Sequence, residues 1–451
     1  MLSDLLDAIA ARGRGLFGLG TGRGSERDLA ELGRELLSRR GEASGIALAQ
    51  DLLEGFAEAG PADRLAFLEA LADAFGADRA AVDAAVEAYR VAPGPETLER
   101  IHQAAEPRRQ ELIRRMNTAP GGTAALIRMR EALMEAMRDN PGLAPVDGDF
   151  VHLFSSWFNR GFLMLRPIDW NTPASILEKL IRYEAVHAIN GWDDLKSRLG
   201  PPDRRCYGYF HPRLPDDPLI FVEVALTRDI PDRIAPILEP DRVPIAPETA
   251  TTAVFYSISN TQRGLTGVSF GHFLIKQVVE DLRRELPGLK TFVTLSPVPR
   301  FARWLAAERT AEVSSLDPAV LAALEPLDAP GWHEDEAVVE AVREPFLAAA
   351  ACYFLEARDH LGRVPDPIAR FHLGNGARLE RLDMLGDLSP KALEQAHGLM
   401  VNYLYDPQKI EANHEAFAER GEVIASPPVR KALRRGAAAN RTLARTNRSK
   451  P

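Results

Sequence analysis

Ser296 and a glycine loop upstream of it are the residues in this sequence best placed to do chemistry. Ser296 stands where the strand pattern Thr291-Phe-Val-Thr-Leu295 stops, and Pro-Val-Pro299 follows it. The loop is Asn260-Thr-Gln-Arg-Gly264-Leu-Thr-Gly267. A glycine loop that opens a helix presents backbone N–H groups and a positive dipole end, which suits an anion. With a hydroxyl nearby, this predicts a phosphate-bearing substrate that reacts at its far end. The loop lacks the Gly-Lys-Ser/Thr of a Walker motif and the Gly-x-Gly-x-x-Gly of a dinucleotide site. A plain tight turn, with Ser296 merely ending a strand, is an equal reading of the local pattern.

Proton transfer near neutrality asks for histidine. Of the ten histidines, His372 stands out because Gly374-Asn-Gly376 follows it, and that turn chemistry puts it at the end of an element. His272, on the first turn of the loop's helix, is its rival. His187, His211, His333, His360, His397 and His414 show no spacing that would hold a metal, and none is expected. His333-Glu-Asp-Glu336 reads as an acidic helix start. Tyr403 and Tyr405 share one face of a late strand and reach either the site or the core. Arg263, Lys276, Arg300 and Arg303 lie near the loop in sequence and would meet ligand phosphates or solvent.

The elements that position these groups are readable. Thr252 to Ser259 is an uninterrupted β-branched and aromatic strand pattern. Phe270, Phe273, Leu274, Val278, Leu282 and Leu286 form one helical stripe, ended by Pro287-Gly288. Strand, helix and strand make a right-handed crossover between parallel strands. The loop and Ser296 are therefore expected at the same carboxyl edge, where such sheets bind ligands.

From the start to Phe158 the pattern is helical only. Stripes run through Leu29, Leu32, Leu36 and Leu37, through Leu65, Leu68, Leu71 and Phe75, through Val82, Val86 and Tyr89, and through Leu126, Met129, Leu133 and Met137. Arg108-Arg109 and Arg114-Arg115 read as a solvated helix face. Residues 1–158 are thus expected to be a helical bundle for scaffolding or self-association. Residues 159–451 change character. Arg205–Phe210 and Leu219–Leu226 read as an antiparallel hairpin, 302–360 as a helical insert, and Leu399–Tyr405 as a strand. Mixed pairing makes this half α+β. The basic stretch from Arg430 to Pro451 reads as a frayed, solvated tail.

The chain has 451 residues, which suggests two or three domains. A net charge of −9 argues against a nucleic-acid partner. Cys206 and Cys352 fall in apolar stretches and read as buried thiols of a reducing compartment. No apolar run is long enough for a bilayer, and Met1-Leu-Ser-Asp-Leu-Leu-Asp7 has no basic leader, so no membrane partner and a cytoplasmic location are expected.

Several blocks then match a known family in order: Phe255-Tyr-Ser-Ile-Ser259, Gly264-Leu-Thr-Gly-Val268, Gly271-His-Phe-Leu-Ile-Lys276, Leu295-Ser-Pro-Val-Pro299, Phe371-His-Leu-Gly-Asn-Gly-Ala377 and Gly398-Leu-Met-Val-Asn-Tyr403. Glu184-Ala-Val-His187 and Arg205-Cys-Tyr207 also fit. Across 160–406 the sequence resembles the malonyl-CoA decarboxylases.

The resemblance implies an N-terminal all-helical oligomerisation bundle, then a GNAT acyltransferase-like mixed-sheet catalytic domain. It implies conversion of malonyl-CoA to acetyl-CoA and CO2 without metal or organic cofactor, and the many amphipathic faces of the helical half predict a homo-oligomer, dimer or tetramer. Ser296 and His372 match the family's catalytic serine and histidine, read as proton acceptor and donor. Its acyl-CoA loop matches Thr266, Gly267, Val268, Ser269, Phe270, Gly271 and His272. Gly264, Asn375, Tyr403 and Tyr405 complete the expected substrate-binding set. The usual acetyltransferase pyrophosphate signature is degenerate, and the chain ends Arg-Ser-Lys-Pro rather than in a peroxisomal Ser-Lys-Leu, which fits a bacterial-type cytoplasmic enzyme. Such a reaction passes through an acetyl enolate. Preset donors at the thioester oxygen lower its cost by about 3–4 kcal/mol each. Ser296 then orients the leaving carboxylate or relays a proton to and from His372. The alternatives are an acyl-CoA-dependent acyltransferase, which needs a second substrate, and a CoA-binding scaffold without turnover.

Overall fold

The computed structural model describes residues 28–38, 41–268 and 274–436. They form two compact units. The first takes in the described residues up to Met164, with the tracts Phe210–Leu219 and 262–268. The second holds Leu165–Tyr209, Ile220–Thr261 and 274–436.

The first unit is helical: α1 (Leu29–Ser38), α2 (Glu42–Glu58), α3 (Pro61–Asp73), α4 (Arg79–Val91), α5 (Pro95–Ala105), α6 (Arg108–Met116), α7 (Gly122–Ala136) and α8 (Ala144–Trp157). The stripes read from sequence supply its core, with Leu32, Leu36, Leu68, Leu71, Phe75, Leu126, Met129 and Leu133 all buried. Asp78 caps α4 by accepting from the amides of Ala80 and Ala81. The helices α4 and α5 form as expected but stay outside that core. α5 buries no residue, and Val91 and Leu98 are 77% and 57% exposed.

One residue, Arg109, departs from the expected solvated face, while Arg108 beside it is exposed as expected. Arg109 is buried and donates to Asp149 and to the carbonyls of Leu71 and Ala72. A guanidinium removed from water must find such acceptors, or burial would be prohibitive. Arg114 and Arg115 pair with Glu106 and Glu111 at half-exposed positions, as expected.

The second unit is built on a mixed eight-stranded sheet. Its strands are β1 (Met164–Pro167), β2 (Arg204–Phe210), β3 (Ile220–Thr227), β4 (Thr252–Asn260), β5 (Thr291–Thr294), β6 (Ser296–Pro297), β7 (Arg378–Asp383) and β8 (Met400–Leu404). The order is β1-β2-β3-β4-β5-β8-β6, with β7 also on β8. β2 and β3 are the expected antiparallel hairpin, and β4 and β5 the expected parallel pair. The helices are α9 (Ala174–Tyr183), α10 (Trp192–Leu199), α11 (Ala235–Leu238), α12 (Leu274–Glu285), α13 (Phe301–Thr310), α14 (Pro318–Ala323), α15 (Glu336–Leu355), α16 (Pro367–Gly374), α17 (Pro390–Ala396), α18 (Ile410–Arg420) and α19 (Pro427–Gly436). α12 buries Leu274, Ile275, Val278, Val279 and Leu282, while Phe270 and Phe273 of its stripe lie outside the described residues. No described helix is long and apolar enough to cross a membrane.

The chain does not fray at Arg430. α19 packs on α15, Val429 is buried, and Arg430 donates to the carbonyl of Ala425 at 3.1 Å. Residues 437–451 of the expected tail lie outside the described residues.

Candidate active site

The site grows from the point where two parallel strands part. β4 and β5 pair from Thr252↔Thr291 to Phe255↔Thr294, and the amide of Leu295 still reaches the carbonyl of Phe255 at 3.1 Å. The next residue, Ser296, belongs to β6, which keeps β8, already β5's neighbour through Val293↔Leu404, by way of Ser296↔Val401. β4 runs on to Asn260 beside β3. From Tyr256 to Asn260 its other edge has no strand partner among the described residues. The prolines after Ser296 explain the loss of β4, because Pro297 has no N–H to continue that ladder.

Ser296 is buried, with its Oγ 3.2 Å from His372 Nε2 and 2.9 Å from Thr294 Oγ1. His372 lies on the last turn of α16, at the element end that its glycines announce. Asp366 caps the start of α16 by accepting from the amides of Ile368 and Ala369, both at 2.9 Å. The two expected tyrosines both reach the histidine. Tyr405 OH is 2.8 Å from His372 Nδ1, and the Tyr403 ring stacks on the imidazole at 4.6 Å between centroids. Thr294 was not foreseen. Its Oγ1 also accepts from the amide of Tyr403 at 3.2 Å, and its carbonyl accepts from Asn402 Nδ2 at 2.9 Å. The signal was available, because residues two apart on a strand share a face and Thr294 stands two before Ser296.

Burial lowers the His372 pKa to about 3, so the ring is neutral, and burial raises the Tyr405 phenol well above its usual value. A neutral imidazole has one N–H. The Tyr405 hydroxyl has no second acceptor among the described residues, so we assign its hydrogen to His372 Nδ1. His372 Nε2 then carries the proton and donates to Ser296 Oγ, and Ser296 donates to Thr294 Oγ1. The four groups form one directed chain that ends on the serine's side.

Asn375, at the C-cap of α16, donates to the carbonyl of Phe371 at 2.7 Å and keeps a buried Oδ1 without a partner. Glu184, in a block matched from sequence, is buried and accepts from Ser257 at 2.7 Å and Ser259 at 3.1 Å. Lys276 is paired with Glu411.

The glycine tract packs within the helical unit. Arg263–Leu265 is a single 3-10 turn. The amide of Gly264 donates to Glu131 at 3.0 Å, and those of Leu265, Thr266 and Val268 donate to carbonyls of the tract's own turns. This corrects the expectation of free amides throughout the loop. The turn consumes them, and within 264–268 backbone donation to a ligand falls to Gly267. Gly267 sits at φ 81° with open space around it, a conformation that side chains disfavour. Gly264 admits no side chain, because a Cβ there would lie 2.2 Å from the carbonyl oxygen of Ile127. Ser269, Phe270, Gly271 and the rival histidine His272 lie outside the described residues. Among the described residues, no group of three His, Cys, Asp or Glu could hold a metal ion.

Comparison with known proteins adds a family. Residues 161–443 match the malonyl-CoA decarboxylase C-terminal domain, and 75–158 match the malonyl-CoA decarboxylase N-terminal domain. The mitochondrial malonyl-CoA decarboxylase of Rattus norvegicus is 34% identical over 409 residues, covering 83% of this chain and 82% of that protein. Among solved structures, malonyl-CoA decarboxylase from Rhodopseudomonas palustris is 61% identical with a TM-score of 0.87, covering 89% of this chain and 98% of that one. The enzyme from Agrobacterium vitis is 59% identical with a TM-score of 0.86, over 90% and 100%. The Cupriavidus metallidurans enzyme is 35% identical with a TM-score of 0.70, over 90% and 98%.

Proposed function

The chain belongs to the malonyl-CoA decarboxylase family, and from that premise we propose that it converts malonyl-CoA to acetyl-CoA and CO2 through an enolate, with Ser296 and His372 handling the proton. The observation that carries this reading is the hydrogen-bond chain from Tyr405 through His372 to Ser296 and Thr294. Breaking the carbon–carboxylate bond releases CO2 and leaves the electron pair on an enolate. The enolate carbon must gain one proton, and solvent must restore it to the enzyme. His372 with its proton on Nε2 suits the donor role, acting on Ser296 or through it. Its neutral state also avoids a buried charge beside the leaving carboxylate.

The parting of β4 and β5 supports the acyltransferase-like reading of the catalytic half, 159–451. The open edge at 256–260 offers backbone donors and acceptors to an extended, amide-bearing acyl arm such as CoA carries. We assign Gly264–His272, with Asn375, Tyr403 and Tyr405, to substrate binding, and 1–158 to oligomerisation. The reaction asks for a proton relay and oxyanion donors rather than a cofactor. Cys206 and Cys352 are buried, in keeping with a reducing compartment, and we place the enzyme in the cytoplasm.

The test is incubation of the purified protein with malonyl-CoA as sole substrate. Acetyl-CoA is expected without any acceptor, which an acyltransferase would require and a scaffold would never produce. Folded protein that yields none across a range of pH contradicts the assignment.

A further inference from the structure

We propose that Arg130, on helix α7, is a positioning residue for the acyl-CoA loop. This rests on the reading above that the loop binds CoA. Arg130 is buried, and its Nη1 donates to two loop carbonyls, Gly264 at 2.7 Å and Thr266 at 2.8 Å. Its Nε donates to Asp147 Oδ1 at 2.7 Å, so α8 in turn holds the guanidinium. The neighbouring Glu131 accepts from the amide of Gly264 at 3.0 Å. One turn further back, Ile127 sits so close to Gly264 that only glycine fits.

Arg130 and Glu131 thus grip both polar groups of Gly264 and the carbonyl of Thr266, while Ile127 on the same face of α7 closes against Gly264. A single ion pair would not need this arrangement. The planar guanidinium serves two carbonyls and a carboxylate at once, which a lysine ammonium reproduces poorly. The tract is fixed immediately before Gly267, the residue within 264–268 whose amide is left for a ligand. Arg130 itself touches no substrate. Its role is to hold the loop's backbone in the ligand-ready conformation before CoA arrives, which removes an ordering cost from binding.

The experiment compares two substrates, malonyl-CoA and malonyl-pantetheine, which lacks the phosphates and adenosine. Arg130→Lys and Glu131→Gln loosen the grip while keeping α7 intact, and Arg130→Gln with Asp147→Asn removes the ion pair without stranding a charge. Thermal unfolding establishes that each variant is folded, and Gly267→Val reports on the loop independently. The expected result is a fall in kcat/KM for malonyl-CoA of about tenfold, carried by KM, equal to about 1.4 kcal/mol. The fall for malonyl-pantetheine should be much smaller. Unchanged KM in the Arg130 and Glu131 variants, with a raised KM in Gly267→Val, overturns the clamp and leaves the loop's role standing. Equal losses on both substrates overturn the clamp as well, because the effect would not pass through the phosphates. A silent Gly267→Val removes the loop from the site, and the proposal with it.

Discussion

Ser296 and His372 meet at 3.2 Å, although they stand 76 positions apart in sequence with the helical insert between them. Each was legible because breakers surround it: the prolines after Ser296 and the glycines after His372 mark element ends, where functional groups are commonly presented. Their meeting was not legible from spacing, since it depends on β6 and α16 being brought together by β8. Thr294 was passed over because a threonine inside a strand pattern looks like ordinary β-propensity. A pH prediction follows from the buried ring. Burial lowers the His372 pKa from 6.5 to about 3, so the folded protein resists protonation that the unfolded chain accepts. The stability tied to the neutral ring is therefore complete above pH 6.5 and lost as pH falls from there toward about 3. His187, lowered to about 4 by burial, adds in the same direction. For catalysis, the kcat profile should show no acid limb near pH 6.5 and should hold to at least a unit lower. An inflection at 6.5 would mean that the histidine in use is an ordinary, hydrated one.

The helix that carries His372 is short and depends on its cap. Asp366 is fully buried, and its Oδ1 accepts from two first-turn amides of α16. Asp366→Ala should cost about 1 kcal/mol in stability and lower kcat by loosening His372, with KM for malonyl-CoA little changed, whereas Asp366→Asn should keep most of both. Steady-state kinetics with a melting curve checks this, and a loss confined to KM would contradict it. Among the elements, the hairpin, the parallel crossover and the late strand were readable because their apolar residues alternate or run unbroken. β7 was not, because Arg378-Leu-Glu-Arg-Leu-Asp383 is rich in charge. Among the described strands it pairs with β8 alone, and it carries ion pairs of its own, Arg378 with Glu380 and Arg381 with Asp383. Helix α19 was hidden for a related reason. Its basic residues suggested a solvated tail, yet Val429 gives it a buried anchor.

At the scale of the molecule, the helical half was plain from periodicity, but periodicity does not say which stripes meet a core. The stripes of α1, α3 and α7 do. The helices α4 and α5 instead leave Tyr89, Val91 and Leu98 in solvent. Their exposure suits the expected self-association, since amphipathic helix pairs bury such residues against symmetry mates. Val91→Glu with Leu98→Glu should lower the oligomeric state seen by light scattering without unfolding the protein, and an unchanged mass would place the interface elsewhere.

The central claim is that Ser296 and His372 act as one unit on one proton path, and a double-mutant comparison of turnover tests it most directly. Acetyl-CoA formation from malonyl-CoA alone is measured for the parent protein, Ser296→Ala, His372→Ala and the double variant, with CoA binding measured alongside. The account predicts that each single change lowers kcat by about 100-fold or more, that CoA binding stays near native, and that the double variant is little worse than the poorer single one. Multiplicative losses would separate the two residues into independent roles, and near-normal turnover in His372→Ala would contradict the account outright.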